Sequence, residues 1–548
     1  MKIDLSEERL MRLAENATDE DRLYDALRWA NKADRLYEIK NTYRYQALLA
    51  EIYEHAGVVE GALQHWFYAL DVADASEVGE VYEALAYCFD TRGDKVTASF
   101  YYDKAMKSPG FIGEFELAEQ PMEPPATKNI FRRVFPCEKA DFTQEILSAI
   151  DEMRKGEFAE AERKLEEIPH AAKDYRKAGN FLAVSKLMQG KGEEAVKVAE
   201  DLYRTYPDDS EIAVTLATAY KADERVEEGM AIAKQLIKRT DLSNDEMFKV
   251  AALLCELELH QDAYEYTKIL GNYMPFDGNL LYMSGAAACN SKNYEDGIRT
   301  FEKLVTMYPD AYVVRYYQSY YQNGGREKMP YVYRVFEEER RRREAYLGYL
   351  MSMEQSDAML EYEERMQEID ELLLWCFDEM DGQDIRLQAY AITVAIHLEA
   401  YEFLQEILMN YQVEDVIKVE IIRDLCVKNK DVFFRVVVYN LYQTVRLPKL
   451  SIGRKARKKF LEGYAECVSQ FGLRIDGLMD VLPEKAEDFY RRLEKHEKLD
   501  GVKSPQTVAI ALCYLCGLKK EREAIKMLCL LLDANLDDVF RLLEVYDE

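Results

Sequence analysis

The sequence predicts an all-α chain: a helix–turn–helix solenoid over residues 7–325, followed by a further helical region. Three observations predict it. From about Phe142 to Pro309 a small residue returns every 34 positions, as Ala149, Ala183, Ala217, Ala251 and Gly285, and again as Ala161, Ala195, Gly229, Ala263 and Gly297. Seven residues behind the second row runs an aliphatic one, Ile168, Leu202, Leu236, Leu270 and Leu304, while Pro207, Asp241, Pro275 and Pro309 close the units. Nearer the start the same device has a period of 36: Ala14, Ala50 and Ala86, then Ala26, Ala62 and Ala98, then Ala33, Ala69 and Ala105. Offsets inside a unit, 12 and then 7, are equal in the two arrays, so the two extra residues of the first fall between units. Small residues at such spacing mark close helix approach, and a fixed period of this size marks stacked repeats.

Taken in order, residues 1–110 hold the first array, with three 36-residue units. Its opening unit has Ala17 and Ala30 where later units carry aromatics, as a terminal cap would. Residues 111–141 form a Pro-rich linker or arm, in which Pro121, Pro124, Pro125 and Pro136 interrupt any helical period. Within it Lys128–Pro136 is basic and aromatic. Two readings stand: an arm packed along the solenoid, or a pseudo-ligand tethered in the protein's own groove. Residues 142–325 supply five 34-residue units and a half-unit, Val313–Gln322, with Pro330 and Tyr331 ending the array. Residues 326–548 read as a different but still helical region, either continuing the solenoid or forming a domain of its own, with long amphipathic helices at Tyr331–Met353 and Ser356–Glu379. Shorter helices are expected at Asp384–Leu408, Val413–Lys428, Asp431–Val445 and Arg454–Phe471.

Charge narrows the partners. Lys plus Arg is 72 and Asp plus Glu is 102, a formal net charge of −30, which repels phosphate backbones and anionic lipid. The start, MKIDLSEERL, lacks the pattern of a signal peptide, and no run of 18 apolar residues occurs, so no membrane span is expected. Ten cysteines scattered singly fit a reduced, cytoplasmic setting. The motifs GxxxxGK[ST], HExxH and GxSxG are missing from the sequence. Cys513 and Cys516 make a CxxC on an apolar helix with no second Cys or His pair at ligand spacing, which reads as core. An enzyme, a metal and a cofactor are therefore not expected. Arg340–Arg343 follow Glu337–Glu339 and read as a solvated, self-paired face. The basic cluster Arg454, Lys455, Arg457, Lys458 and Lys459 is expected to pair with the acidic remainder. Ser504–Tyr546 has helix-turn-helix spacing, but its second helix, Leu536–Leu543, carries two acids and one base, a poor match to nucleic acid.

Small and aromatic positions interleave in the second and third units, as Ala50, Tyr53, Ala62, Trp66 and Ala69, and as Ala86, Phe89, Gly93, Ala98, Tyr102 and Ala105. In this the chain resembles the tetratricopeptide-repeat family over residues 7–325. The resemblance implies that the first helix of each unit lines a concave face at offsets −6, −3, +1 and +4 from its small residue. It places Glu15, Glu51, Glu54, Glu83, Tyr87 and Asp90 in a mostly acidic first groove, together with Glu8, Arg44 and Glu80. In the second array it places Lys177, Asn180, Thr218, Lys221, Phe248, Asn279 and Tyr282 on a mixed surface. The two-carboxylate clamp of chaperone-tail-binding members is not implied, because too few basic residues line the face. The expected function is a non-enzymatic scaffold or adaptor for a protein or peptide, basic where it meets the first groove. The alternative is a ligand-sensing regulator whose C-terminal helices contact DNA or a transcription partner.

Overall fold

The structure is a computed structural model that describes residues 6–111, 113, 141–170, 172–378, 385–475, 477–517 and 522–546; Lys128–Pro136 lies outside the described residues. The chain is all-α apart from one β-hairpin among the described residues. It divides into two compact units, Met1–Ala118 with Glu337–Glu548, and Glu119–Phe336.

In the second of these, five helix pairs follow one another: Thr143–Arg154 with Phe158–Glu166, Tyr175–Met188 with Gly192–Thr205, Ser210–Ala222 with Val226–Leu236, Asn244–Glu256 with His260–Leu270, and Gly278–Asn290 with Tyr294–Met307. A single helix, Tyr312–Gln322, ends the series. Several first helices carry a side-chain cap. Asp209 accepts from the amides of Glu211 and Ile212, Asp277 from that of Leu280, and Ser243 forms a capping box with Glu246. Such caps contribute about 1 kcal/mol each. Inside each pair the chain turns on one residue at positive φ: Gly156, Gly190, Glu224, Glu258 and Lys292, again 34 apart. The three non-glycine residues pay about 1 kcal/mol each for that backbone.

The small rows are where the helices meet. Ala149, Ala183, Ala217, Ala251, Ala161, Ala195 and Ala263 are fully buried. Glycine replaces alanine where even a methyl group is too large: a Cβ on Gly285 would stand 2.2 Å from Phe301 Cε1, and one on Gly297 2.5 Å from Cys289 Sγ. The aliphatic row Ile168, Leu202, Leu236, Leu270 and Leu304 is buried behind them.

The other unit begins with three pairs, Glu7–Asp19 with Leu23–Tyr37, Tyr43–His55 with Val59–Val72, and Val78–Arg92 with Lys95–Lys107. All nine alanines of its three rows are at 0% exposure. The third pair does not end the packing. Tyr411 stacks on Phe67 at 5.6 Å between ring centroids and meets Phe89 edge-on at 6.1 Å. The Tyr101 hydroxyl donates to the Asn440 carbonyl at 2.6 Å, and Asp71 accepts from Arg435 at 2.6 Å and from Tyr442 at 2.7 Å. The C-terminal region thus continues the first array directly, and the second array is inserted between them in sequence.

Four expected helices differ. Asp431–Val445 is not a helix but part of a hairpin, Val432–Val438 paired antiparallel with Leu441–Leu447. Its stretch VFFRVVV is β-branched and aromatic, and Tyr439 and Asn440 take φ of 54° and 59°, the backbone of a two-residue type I′ turn. Tyr331–Met353 starts late, at Glu337, because Pro330 and the residues after it leave the helical path. Ser356–Glu379 breaks at Arg365 into Gln355–Glu364 and Met366–Asp378. Asp384–Leu408 breaks at Glu399, φ 57°, into Ile385–Leu398 and Tyr401–Met409.

Charge runs pair locally. Arg340, Arg341, Arg342 and Arg343 reach Glu344, Glu337 and Glu339 at 2.8–3.1 Å. In the basic cluster Lys455 meets Asp500 at 3.1 Å and Lys458 meets Glu462 at 4.0 Å. Cys513 is buried with its Sγ 3.6 Å from that of Cys467; this contact and then burial push the Cys467 thiol upward, and burial does the same to Cys516. Among the described residues no helix is long and apolar enough to cross a membrane, and no group of three His, Cys, Asp or Glu side chains has metal-binding geometry.

The crossings predict a sharp contrast in one helix. Ala217 is fully buried, and its carbonyl is already 2.8 Å from where a Cβ on Gly229 would lie, whereas Thr218 is half-buried on the other face. Ala217→Leu should cost about 1–3 kcal/mol by overpacking. Thr218→Leu should cost far less, which paired thermal melts will show.

Candidate functional site

In the first array the three first helices lie side by side, and their charged positions meet across the face. Arg44 bridges to Glu8 and Glu15 of the preceding unit, both at 2.7 Å, and holds the Glu8 carboxyl below its usual range. Glu54 accepts from Trp66 Nε1 at 2.6 Å and lies 3.2 Å from Cys88 Sγ, and burial raises its pKa. Asp90 pairs with Lys95. Glu83 is buried and accepts from the Gly113 amide at 3.0 Å, while the Gly79 amide donates to the Pro109 carbonyl at 3.0 Å. Pro109 and Gly113 therefore lie against the helix Val78–Arg92. Tyr87 remains exposed.

Glu51 differs from its neighbours. Its side chain reaches solvent, and among the described residues it has no hydrogen-bond or ion-pair partner, yet protein surrounds it on the inner side of the helix. That partial desolvation, followed by the negative charges of Glu54, Glu80, Glu15 and Asp19, raises its pKa to about 7. The Tyr43 hydroxyl, pushed upward by burial and then by Glu80, Glu77 and Glu51, borders the same cluster.

In the second array Lys177 and Asn279 are exposed, and Thr218 and Phe248 are half-buried. Phe248 packs its inner edge on the core. Lys221 pairs with Glu256 at 3.4 Å, and the buried Asn180 Oδ1 has no partner among the described residues. Tyr282 is buried, under a segment of the chain itself. Residues 326–336, the non-helical stretch after Tyr312–Gln322, fold back over the last first helices as a strap. Tyr282 donates to the carbonyls of Pro330 at 3.0 Å and Val332 at 2.9 Å. Asn290 takes the Met329 amide at 2.8 Å and gives to its carbonyl at 2.9 Å. Tyr317 donates to the Arg334 carbonyl and Tyr321 to that of Glu327, both at 2.7 Å. At the apex Tyr331 meets His260 Nδ1 at 2.9 Å and Lys328 meets Glu258 at 2.6 Å.

Asn290, Tyr317 and Tyr321 were not among the residues expected from the offsets, and neither was the strap. Their signal was the tyrosine density of YVVRYYQSYYQ beside a proline-stopped loop. The helix Leu536–Leu543 has Asp537 and Asp538 in its first turn, with Asp538 paired to Lys503 at 2.8 Å and Arg541 at 3.2 Å.

The pH response of Glu51 follows by linkage. Between pH 4.5 and about 7 the folded chain holds a proton there that the unfolded chain has lost, so this group's contribution to stability falls as pH rises through that window. Glu51→Gln should raise the melting temperature at pH 8 and leave it unchanged at pH 4; equal shifts at both would remove Glu51 from the acidic cluster.

Residues 280–311 match the family described as Tetratricopeptide repeat. No curated protein matches the chain by sequence. Among solved structures, the human IFIT1 dimer with PPP-AAAA is 13% identical, with 73% of this chain and 90% of that chain covered, at a TM-score of 0.27. The P58(IPK) TPR domain is also 13% identical, covering 72% and 99%, at 0.20. Yeast Tom70, at 13% identity, covers 96% and 99%, at 0.21. The tetratricopeptide-repeat match thus falls on residues 280–311, and the other helix pairs are built on the same small-residue rows.

Proposed function

We propose that this protein is a binding scaffold that takes a segment of a partner protein on the inner faces of its first helices. In the first array the segment is cationic. The observation that supports this most is Glu51: accessible, unpaired among the described residues, and so placed that partial desolvation, and then the charges of Glu54, Glu80, Glu15 and Asp19, raise its pKa to about 7. Glu15 beside it is already paired with Arg44 and Glu54 is held by Trp66, so Glu51 is the carboxylate left open to a cation, in a groove where field lines concentrate. A lysine or arginine placed there relieves both the desolvation and the repulsion that raise the pKa. Binding then expels the proton held below pH 7, so affinity falls as pH drops from 8 to 6.

A peptide copying Lys128–Pro136, KNIFRRVFP, provides a basic and aromatic probe. Its affinity, read by fluorescence anisotropy, should weaken as salt rises from 0.01 to 0.1 M, where the Debye length falls from about 30 to about 10 Å. Glu51→Lys should weaken it about tenfold or more at low salt, while reversal of the exposed Glu38, outside the groove, should have little effect. Equal losses for the two reversals would reduce the interaction to the overall charge and refute the groove.

A further inference from the structure

The contacts made by residues 326–336 are of an unusual kind for a connecting loop. Six hydrogen bonds from Tyr282, Asn290, Tyr317 and Tyr321 engage its backbone, and five of them end on carbonyls, of Glu327, Met329, Pro330, Val332 and Arg334. Donors of this kind hold an open backbone largely without regard to which side chains it carries. Side chains then add a second layer. Met329 and Val335 are buried, Tyr333 lies 4.9 Å from Tyr282 between ring centroids, and Phe336 sits among Tyr316, Tyr317 and Tyr320 at 5.1–6.1 Å. The bonding groups stand on three helices, Gly278–Asn290, Tyr312–Gln322 and, through His260 at its start, His260–Leu270. An extended chain added to a sheet edge is held in the same two ways, by backbone bonds for affinity and pockets for alternate side chains; here side-chain donors on helices supply the bonds.

We propose that residues 326–336 are a tethered ligand, and that the face they cover is a binding site for a partner's non-helical segment rich in aromatic and aliphatic residues, which displaces the strap. The chain fills its own site and so competes with the partner at an effective concentration set by a short tether, typically in the millimolar range. Only a segment that matches the backbone register and the Met329 and Val335 pockets displaces it. The strap thereby sets an affinity threshold. The site is separate from the acidic groove of the first array and stands whether or not that groove binds cations.

The test uses the full chain with residues 326–336 replaced by a Gly/Ser segment of equal length, and a labelled synthetic peptide, REKMPYVYRVF, as probe. Saturable binding to the replaced chain, at least tenfold weaker binding to the natural one, and loss of binding on adding Asn290→Ala and Tyr282→Phe are expected. A replaced chain that keeps its helical circular dichroism but does not bind the peptide overturns the proposal and leaves the strap as a cap. Should the replaced chain fail to fold, hydrogen exchange on the natural chain decides. Strap amides opening at least tenfold faster than those of Gly278–Asn290 support a displaceable ligand; equal rates mean that strap and helix open only together, and refute it.

Discussion

Close approach of helices at small side chains is the constraint on which the structure depends. An alanine at zero exposure contributes little transfer energy of its own; what it provides is distance. Where Gly285 and Gly297 stand, backbone carbonyl, ring and thiol come within 2.2–3.2 Å of a missing methyl group, so the pair Gly278–Asn290 with Tyr294–Met307 has no room for one. The larger residues seven positions on then fill the space behind, and burial of each Leu or Ile contributes roughly 1.5–3 kcal/mol. Because each pair has the same crossing, the polar faces of the first helices come into line, and the charges of Arg44, Glu15 and Glu8 can meet across units.

Irregular segments and the open edge of the hairpin are secured by a different device. Four side-chain amides each bond both ways to a stretch of backbone. Gln64 holds Met409 and Tyr411, Asn290 holds Met329, Gln405 holds Arg435, and Asn429 holds Leu450, at 2.5–3.2 Å. An Asn or Gln amide carries the donor and acceptor pair of a peptide group without its chain. It satisfies buried backbone that has no helix or sheet to bond to and introduces no charge, which avoids the desolvation penalty of an ion pair.

Much of this was legible in the sequence, because alanine spacing is a direct record of helix crossings. The rows Ala14–Ala50–Ala86 and Ala149–Ala183–Ala217–Ala251 name buried crossings without error. What stayed hidden was long-range. Nothing local to Phe67 or Asp71 says that Tyr411 and Arg435 will pack there, since periodicity reports which face is apolar and not what covers it. The hairpin at Val432–Leu447 was obscured by ambiguity, for a short apolar run fits a buried helix as well as a strand. At the candidate site, charge and offset located Glu51 but not its isolation, because the partners of Glu15, Glu54 and Asp90 depend on side-chain geometry. Tyr282 was visible as an inner-face residue; that it would be covered depended on a loop whose path no period describes.

The joining of the first array to the C-terminal region has a consequence for how the protein is made. Phe67, Phe89 and Tyr101 are completed by Tyr411 and Asn440, and Asn440 leaves the ribosome 339 residues after Tyr101. At 5–20 residues per second, that interval is roughly 15–70 s. For that time the third helix pair presents an aromatic surface with no lid, while the whole of the inserted array is synthesised and can fold on its own. Until Tyr411 and Asn440 arrive, the nascent chain is therefore adhesive along its third helix pair, a liability that the finished fold does not show.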